Sequence, residues 1–169
     1  ISRRSFERPS IPCYLSLMNK HTPKQLLATY DSDFYLWSAG QAALIREGKF
    51  DQLDIENVAE EIESLGRSDR KSLMSQLQRL IAHLLKWQFQ PSRRSKSWRL
   101  SIFSARDDIG VLVEDSPSLS GILPSGLEKA YVAARKRAAL ETGLPTTAFP
   151  EKCPYPLEQT LDEDFWPEP

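Results

Sequence analysis

Residues 69–90, DRKSLMSQLQRLIAHLLKWQFQ, are the stretch that decides the fold. Their apolar side chains recur every three to four residues, which is the period of an amphipathic α-helix. At about 100° per residue these side chains fill an arc of roughly 160°, wider than a surface helix needs. We therefore predict a long central helix, preceded by Ser68 as a cap and ended by Pro91, with neighbours on two sides. The arc consists of Leu73, Met74, Leu77, Leu80, Ile81, Leu84, Leu85 and Trp87.

Two further helices are predicted before this stretch. The first begins near Ser32 and ends at Gly48, a residue suited to the left-handed position after a helix. The second begins after Asp54, a good N-cap, and ends at Gly66. We expect this second helix to form a hairpin with the central one and to bury a stripe made of Ile55, Val58, Ala59, Ile62 and Leu65.

Two helices and a tail follow the central stretch. One helix is predicted over about residues 97–114, and another, with Ser125 and Glu128 as a capping box, ends before Gly143. Residues 145–169 contain six prolines with aromatic residues between them, and we expect them to dock as an extended strap. No alternating strand pattern is present in the sequence. The predicted fold class is all-α, a compact bundle of about five helices with an extended Pro/aromatic-rich C-terminal strap.

The N-terminus favours an extension outside the domain. The first methionine is Met18, and the residues before it place basic side chains ahead of a short apolar stretch. That stretch contains Pro12 and lacks a small-residue cleavage motif, which disfavours a secretory signal peptide. We expect Met18 to be the natural start, residues 1–20 to be a non-domain extension, and residues 21–169 to be a single helical domain that includes the strap.

Composition excludes several classes of function. The chain of 169 residues is 40% hydrophobic with a net charge of −1, which predicts a globular protein without general attraction to nucleic acid or membranes. No apolar run approaches the ~20 residues of a membrane-spanning helix. The two cysteines, Cys13 and Cys153, lack CxxC spacing and predict unpaired thiols in a reducing cytoplasm. We expect no cofactor, no metal site and no membrane partner.

Seven motifs, in order along the chain, carry a resemblance to a known family. They are YDSDFYLW (30–37), EEIESLG (60–66), HLLKW (83–87), SKSWR (95–99), DSPSL (115–119), CPY (153–155) and DEDFWP (162–167). Over about residues 25–168 the chain resembles the bacterial domain-of-unknown-function family number 29. The resemblance implies a compact α-helical fold, and it brings no activity, cofactor, partner or catalytic residue.

Charge is segregated along the chain. Residues 31–66 hold nine acidic and two basic side chains, whereas residues 67–99 hold nine basic and one acidic. A candidate polyanion-binding segment lies in the second block, with Arg93, Arg94, Lys96 and Arg99 for phosphates and Trp98 for stacking on a base. Two alternatives stay open. The two blocks can neutralise each other inside the molecule with Trp98 in the core, or the basic block can bind an acidic protein.

A second candidate is the polar set Glu60, Glu61, Glu63 and His83, because carboxylates and histidine can bind a metal or transfer protons. In the predicted hairpin, Glu60 and His83 would lie at different distances from the turn, so their side chains would not meet. A solvated acidic face and a hydrogen-bonded histidine would account for the same residues.

The sequence therefore favours a small protein-interaction module without chemistry of its own, binding another protein or a second copy of itself. A nucleic-acid-binding or polyanion-binding protein using residues 93–99 is the first alternative. A metal-dependent enzyme around His83 with Glu60 and Glu61 is the second.

Overall fold

The structure is a computed structural model that describes residues 28–169 and is all-α, with no strand in that range. The described chain contains five α-helices: α1 (Phe34–Arg46), α2 (Ile55–Phe89), α3 (Lys96–Asp115), α4 (Leu123–Thr142) and α5 (Leu157–Leu161). Short 3₁₀ turns occupy Phe50–Gln52, Pro91–Arg93, Pro117–Ile122 and Thr146–Ala148. The extension predicted over residues 1–20 lies outside the described residues.

The chain divides into two compact units, one ending at Ile62 and the other comprising Glu63–Pro169. In the first unit Trp37 is the buried residue of α1, and its indole Nε1 donates to Asp54 Oδ2 over 3.1 Å. The rings of Tyr30 and Phe34 pack on the same indole, with centroids 4.9 and 5.6 Å away. Asp54 Oδ1 also accepts from the backbone N–H of Asn57 over 3.4 Å, as expected of the predicted N-cap. A single domain over residues 21–169 stays a prediction.

Helix α2 corrects the predicted hairpin, because it is one helix of 35 residues rather than two. Gly66 lies inside it, with a negative φ. A glycine within a helix costs only about 1 kcal/mol relative to alanine, and no proline interrupts the run. The helix does not turn back at this point, so the predicted apolar stripe is not covered. Ile55, Ile62 and Leu65 are 66%, 64% and 68% exposed.

The core of the second unit surrounds the C-terminal half of α2. Residues 80–86 are all buried, so the helix is covered on every side for about two turns. All eight residues of the predicted arc lie in or against the core, which confirms the central position of this helix. Ile102 and Ala105 of α3 and Ala130 and Tyr131 of α4 complete the cluster, and none of them is exposed.

The C-terminal segment, residues 145–169, contributes aromatic side chains to the same core. Phe149 is 2% exposed, and its ring lies 5.2 Å from that of Phe89 at the end of α2. Tyr155 is 3% exposed, and its hydroxyl donates to Gln88 Oε1 over 2.7 Å. Burial raises the pKa of Tyr155 well above its ordinary value, as expected for a phenol away from water.

Local signals place most helix ends. Gly48 and Gly143 have φ of 71° and 75°, which confirms the left-handed positions predicted for them. The capping box predicted at Ser125 is wrong, because α4 begins at Leu123 and the Ser125 hydroxyl donates back to the carbonyl of Ile122. The 3₁₀ turn before α4 runs directly into it, so the helix begins without a side-chain cap.

Candidate functional sites

The basic connection between α2 and α3 is held by contacts between cations and indoles. Arg94 Nε donates to the carbonyl of Trp87 over 2.9 Å, and its guanidinium lies 4.9 Å from the centre of the Trp87 ring. The guanidinium of Arg99 lies 5.6 Å from the ring centre of Trp166. Such contacts contribute about 0.5–1 kcal/mol each at exposed sites. Arg94 and Arg99 are therefore partly engaged within the molecule.

Trp98 makes a cation–π contact within the molecule. It is half-buried at the start of α3, where Ser95 caps the helix by accepting from the Trp98 backbone N–H. Lys86 Nζ lies 4.5 Å from the centre of the Trp98 ring. Lys86 is 5% exposed, and its ammonium donates to Glu141 Oε2 over 2.6 Å. One face of the indole is therefore occupied, which reduces its capacity to stack on a base.

Lys86 and Glu141 form the most buried ion pair among the described residues. Their side chains are 6% and 31% exposed, and Arg137 Nε adds a second bond to Glu141 Oε1 over 2.7 Å. Burial alone would raise the pKa of Glu141, but hydrogen bonds from Arg137 and Lys86 lower it to about 2. This carboxylate is therefore ionised at neutral pH and serves to compensate a buried cation.

Two of the predicted cations line a groove that the sequence did not indicate. This C-terminal groove, of about 640 Å³, lies between α3 and the C-terminal segment. Leu100 and Phe103 are 54% and 57% exposed, and Trp166 lines the groove beside them. The charged residues of the groove have both signs: Lys96 and Arg99 on α3, and Glu163 and Asp164 on the C-terminal segment.

Arg106 fixes the acidic side of this groove. Its guanidinium donates to the carbonyls of Thr160, Glu163 and Phe165 over 3.1, 3.1 and 2.8 Å. It is 6% exposed, and burial lowers its pKa while the charges of Asp162 and Glu163 raise it. Arginine suits this position because its donors are fixed in a planar fork. Three backbone carbonyls of the C-terminal segment are thereby bonded to one side chain of α3.

The polar set Glu60, Glu61, Glu63 and His83 is not brought together. All four lie on α2, and Glu63 and His83, both in the second unit, are separated by 20 positions (63 to 83), or about 30 Å along the helix. Each has a local environment of its own. Glu60 is exposed, and Glu63 pairs with Arg67 over 3.2 Å.

Glu61 and His83 each have a hydrogen-bond partner nearby. Glu61 Oε1 accepts from the Tyr30 hydroxyl over 2.5 Å, and this bond raises the pKa of Tyr30 to about 12. His83 is buried, with Nδ1 2.9 Å from the carbonyl of Arg79, so Nδ1 donates. Burial lowers the pKa of His83, which keeps the ring neutral at pH 7. Within residues 28–169 no group of His, Cys, Asp and Glu side chains could hold a metal ion.

The sequence reasoning missed Leu100 and Phe103, and it did not place Glu163 and Asp164 of the DEDFWP motif beside α3. A signal was available for the first two, because they are large apolar residues outside the inward stripe of their helix. The pairing of α3 with residues 163–166 joins positions about sixty residues apart, which periodicity does not reveal. Cys153 is half-buried, and burial raises the pKa of its thiol, the opposite of a reactive cysteine.

These observations define a class: an all-α protein whose C-terminal segment and third helix together form an amphipathic groove. The family model "Domain of unknown function DUF29" matches residues 29–166, and the chain belongs to this family. No curated protein and no solved structure matched the chain. Among the described helices, none is both long and apolar enough to cross a membrane.

Proposed function

We propose that this protein is a protein-interaction module that binds a peptide segment of a partner protein in the C-terminal groove. The observation that carries the proposal is the exposure of Leu100 and Phe103 beside Trp166, inside a groove of about 640 Å³. Large apolar side chains surrounded by polar ones are typical of the centre of protein interfaces. The proposal includes a cytoplasmic location, where the Cys153 thiol stays unpaired.

The charges around the groove define the chemistry of the partner. Lys96 and Arg99 attract an acidic side chain, and Glu163 and Asp164 attract a basic one. The matching peptide therefore has an apolar or aromatic residue with an acidic residue on one side and a basic residue on the other. Because the four charges sum to zero, long-range attraction is weak, and salt should change the affinity little.

The expected affinity is modest. Complete burial of a leucine or phenylalanine side chain stabilises by about 1.5–3 kcal/mol, and these two are about half-exposed beforehand, so together they add roughly 2–3 kcal/mol. Association also costs several kcal/mol of lost freedom. A peptide that uses this groove alone should therefore bind no more tightly than the micromolar range, which corresponds to roughly −8 kcal/mol.

The experiment is peptide display against the full chain, followed by calorimetric titration of the enriched consensus peptide. The test variant is Leu100→Ser/Phe103→Ser, and the control is Val132→Ser, which changes another exposed apolar residue on α4. We expect a consensus with an apolar residue between opposite charges, and about a tenfold or greater loss of affinity in the test variant alone. No enrichment, or equal binding by the test variant, would refute the proposal. Light scattering that shows a dimer dissociated by the test variant would instead make a second copy the occupant.

A nucleic-acid-binding protein is the second candidate, and the exposed cations around residues 93–99 favour it. Glu163 and Asp164 count against it, since they place negative charge beside Lys96 and Arg99. The test is a salt-dependent titration with short DNA and RNA of the wild type and of Arg93→Ala/Arg94→Ala/Lys96→Ala/Arg99→Ala. Binding that weakens steeply with salt and disappears in this variant, while Leu100→Ser/Phe103→Ser binds normally, would favour this candidate over the first.

A further inference from the structure

A second groove lies between α2 and the start of α4, and its charged residues are all basic. It has a volume of about 670 Å³ and is lined by Arg67, Arg70 and Lys71 from α2 and by Lys129 from α4. The three α2 cations follow the i, i+3, i+4 spacing that places side chains on one helix face. Among residues 28–169, no acidic side chain lines this basic groove. It shares no residue with the C-terminal groove.

The positive charge of the basic groove is poorly compensated. Arg67 pairs with Glu63 over 3.2 Å, but both side chains are more than half exposed, and such pairs contribute little. Arg70, Lys71 and Lys129 have no ion pair with any residue from 28 to 169. Like charges held in one groove repel each other, and a bound anion would remove that repulsion.

Close packing of the two helices forms one wall of the groove. A Cβ on Gly126, in the first turn of α4, would lie 2.7 Å from Met74 Sδ, so a larger residue here would require the Met74 side chain to shift. Met74 and Ile122 give that wall an apolar surface beside the cations. Helix α4 also begins at the groove, and the partial positive charge of a helix N-terminus has the same sign as the side chains.

We propose that the basic groove binds a small molecule with a chain of phosphate groups and an apolar ring, such as a nucleoside triphosphate. The phosphates contact the four cations, and the ring packs on Met74 and Ile122. The volume is within the range of roughly 300–1,000 Å³ that small-ligand pockets occupy. The groove thereby becomes a site through which a phosphorylated metabolite stabilises the second unit.

The density of charge distinguishes this ligand from nucleic acid. Arg67 to Lys71 span about 6 Å of helix axis. A single nucleic-acid strand presents about two phosphates over that length, one per roughly 3.4 Å. Four cations around so short a stretch are matched better by a triphosphate, which gathers its charges at one place.

The test is calorimetric titration of the full chain with ATP, GTP, tripolyphosphate and a short single-stranded RNA. The variant is Arg70→Ala/Lys71→Ala, and the control is Lys136→Ala/Lys152→Ala, which removes the same charge from exposed positions outside the groove. All four side chains are exposed, so both variants should fold, and thermal unfolding verifies this. We expect ATP or GTP to bind the wild type and the control with micromolar affinity and the groove variant about tenfold or more weakly.

Weaker binding of tripolyphosphate than of ATP or GTP would support the proposal, with contacts from both the phosphates and the ring. Equal binding of tripolyphosphate would support the phosphate contacts and overturn the contact of the ring with Met74 and Ile122. Two results would overturn the whole proposal. The first is no binding of ATP, GTP or tripolyphosphate to folded wild type, whether or not the RNA binds. The second is equal binding by the groove variant. Peptide binding by Leu100→Ser/Phe103→Ser is a separate readout, so failure of this inference leaves the proposed function open.

Discussion

Arg106 offers the sharpest test of how the C-terminal segment is held. The substitution Arg106→Lys keeps the charge and removes the planar fork that donates to Thr160, Glu163 and Phe165. A lysine ammonium on a flexible stem can retain one of the three bonds at most. We predict that the substitution lowers the free energy of unfolding and loosens residues 157–167 more than the rest of the chain.

The magnitude follows from which carbonyls lose their donor. Thr160 is fully buried, so water cannot replace the lost bond there, and an unsatisfied buried acceptor costs about 1–3 kcal/mol. The acceptors at Glu163 and Phe165 are only partly buried, and each lost bond there costs roughly 0.5–1 kcal/mol. With one of the two partly buried bonds retained, the loss of the Thr160 bond and of the other bond should make Arg106→Lys cost about 1.5–4 kcal/mol.

Urea unfolding followed by circular dichroism measures the free energy, and hydrogen exchange measured by mass spectrometry locates the loosening. The control is Arg135→Lys, the same chemical change at a guanidinium that donates to a single backbone carbonyl, that of Phe149, over 2.9 Å. We expect about 1 kcal/mol or less for the control. An equal, small loss in both variants with unchanged exchange over residues 157–167 would refute the reasoning.

Three further predictions concern the core, an ion pair and a helix end. Leu84→Ala, at a fully buried position of α2, should cost about 2–5 kcal/mol in chemical unfolding, and a loss below about 1 kcal/mol would mean that the core is misplaced. The pKa of Glu141 is lowered from 4.5 to about 2, so its stabilising effect should be complete above pH 4.5 and lost as the pH falls towards 2. Its partial exposure to solvent reduces this contribution to about 1 kcal/mol. In Glu141→Gln, the fall in the free energy of unfolding between pH 4.5 and pH 2 should therefore be smaller by this amount. Gly143→Ala should cost about 1 kcal/mol in thermal unfolding because φ there is 75°, whereas Gly110→Ala, within α3, should be neutral or stabilising.

Much of the fold could be predicted because its signals are local. The arc from Leu73 to Trp87 specifies a central helix by periodicity alone, and Gly48 and Gly143 mark helix ends through a conformation that other residues adopt at a cost. The same local reasoning fails at Gly66. A glycine there is compatible with both a helix end and a helix interior, and its local sequence does not distinguish the two.

The grooves could not be predicted in the same way. In the sequence, Arg106 cannot be distinguished from an arginine that is exposed to solvent. Its three acceptors are backbone carbonyls 54 to 59 residues further along the chain. Leu100 and Phe103 differ from core residues only by their angle on α3, and the acidic side of the C-terminal groove comes from a segment without helical periodicity. Charge segregation did indicate a basic face. Its position against α4 depends on how the helices pack.

The anchoring of residues 160–165 through their carbonyls has a consequence for how this molecule can diverge. A carbonyl is present whatever the side chain, so the hydrogen bonds of Arg106 do not require particular side chains at positions 163 and 164, although the charge of Glu163 also favours the charged guanidinium. The backbone attachment and the proposed recognition surface are therefore largely separable. Substitutions at Asp164 can change the charges that line the C-terminal groove while the three hydrogen bonds of Arg106 remain, so one backbone could present different specificities.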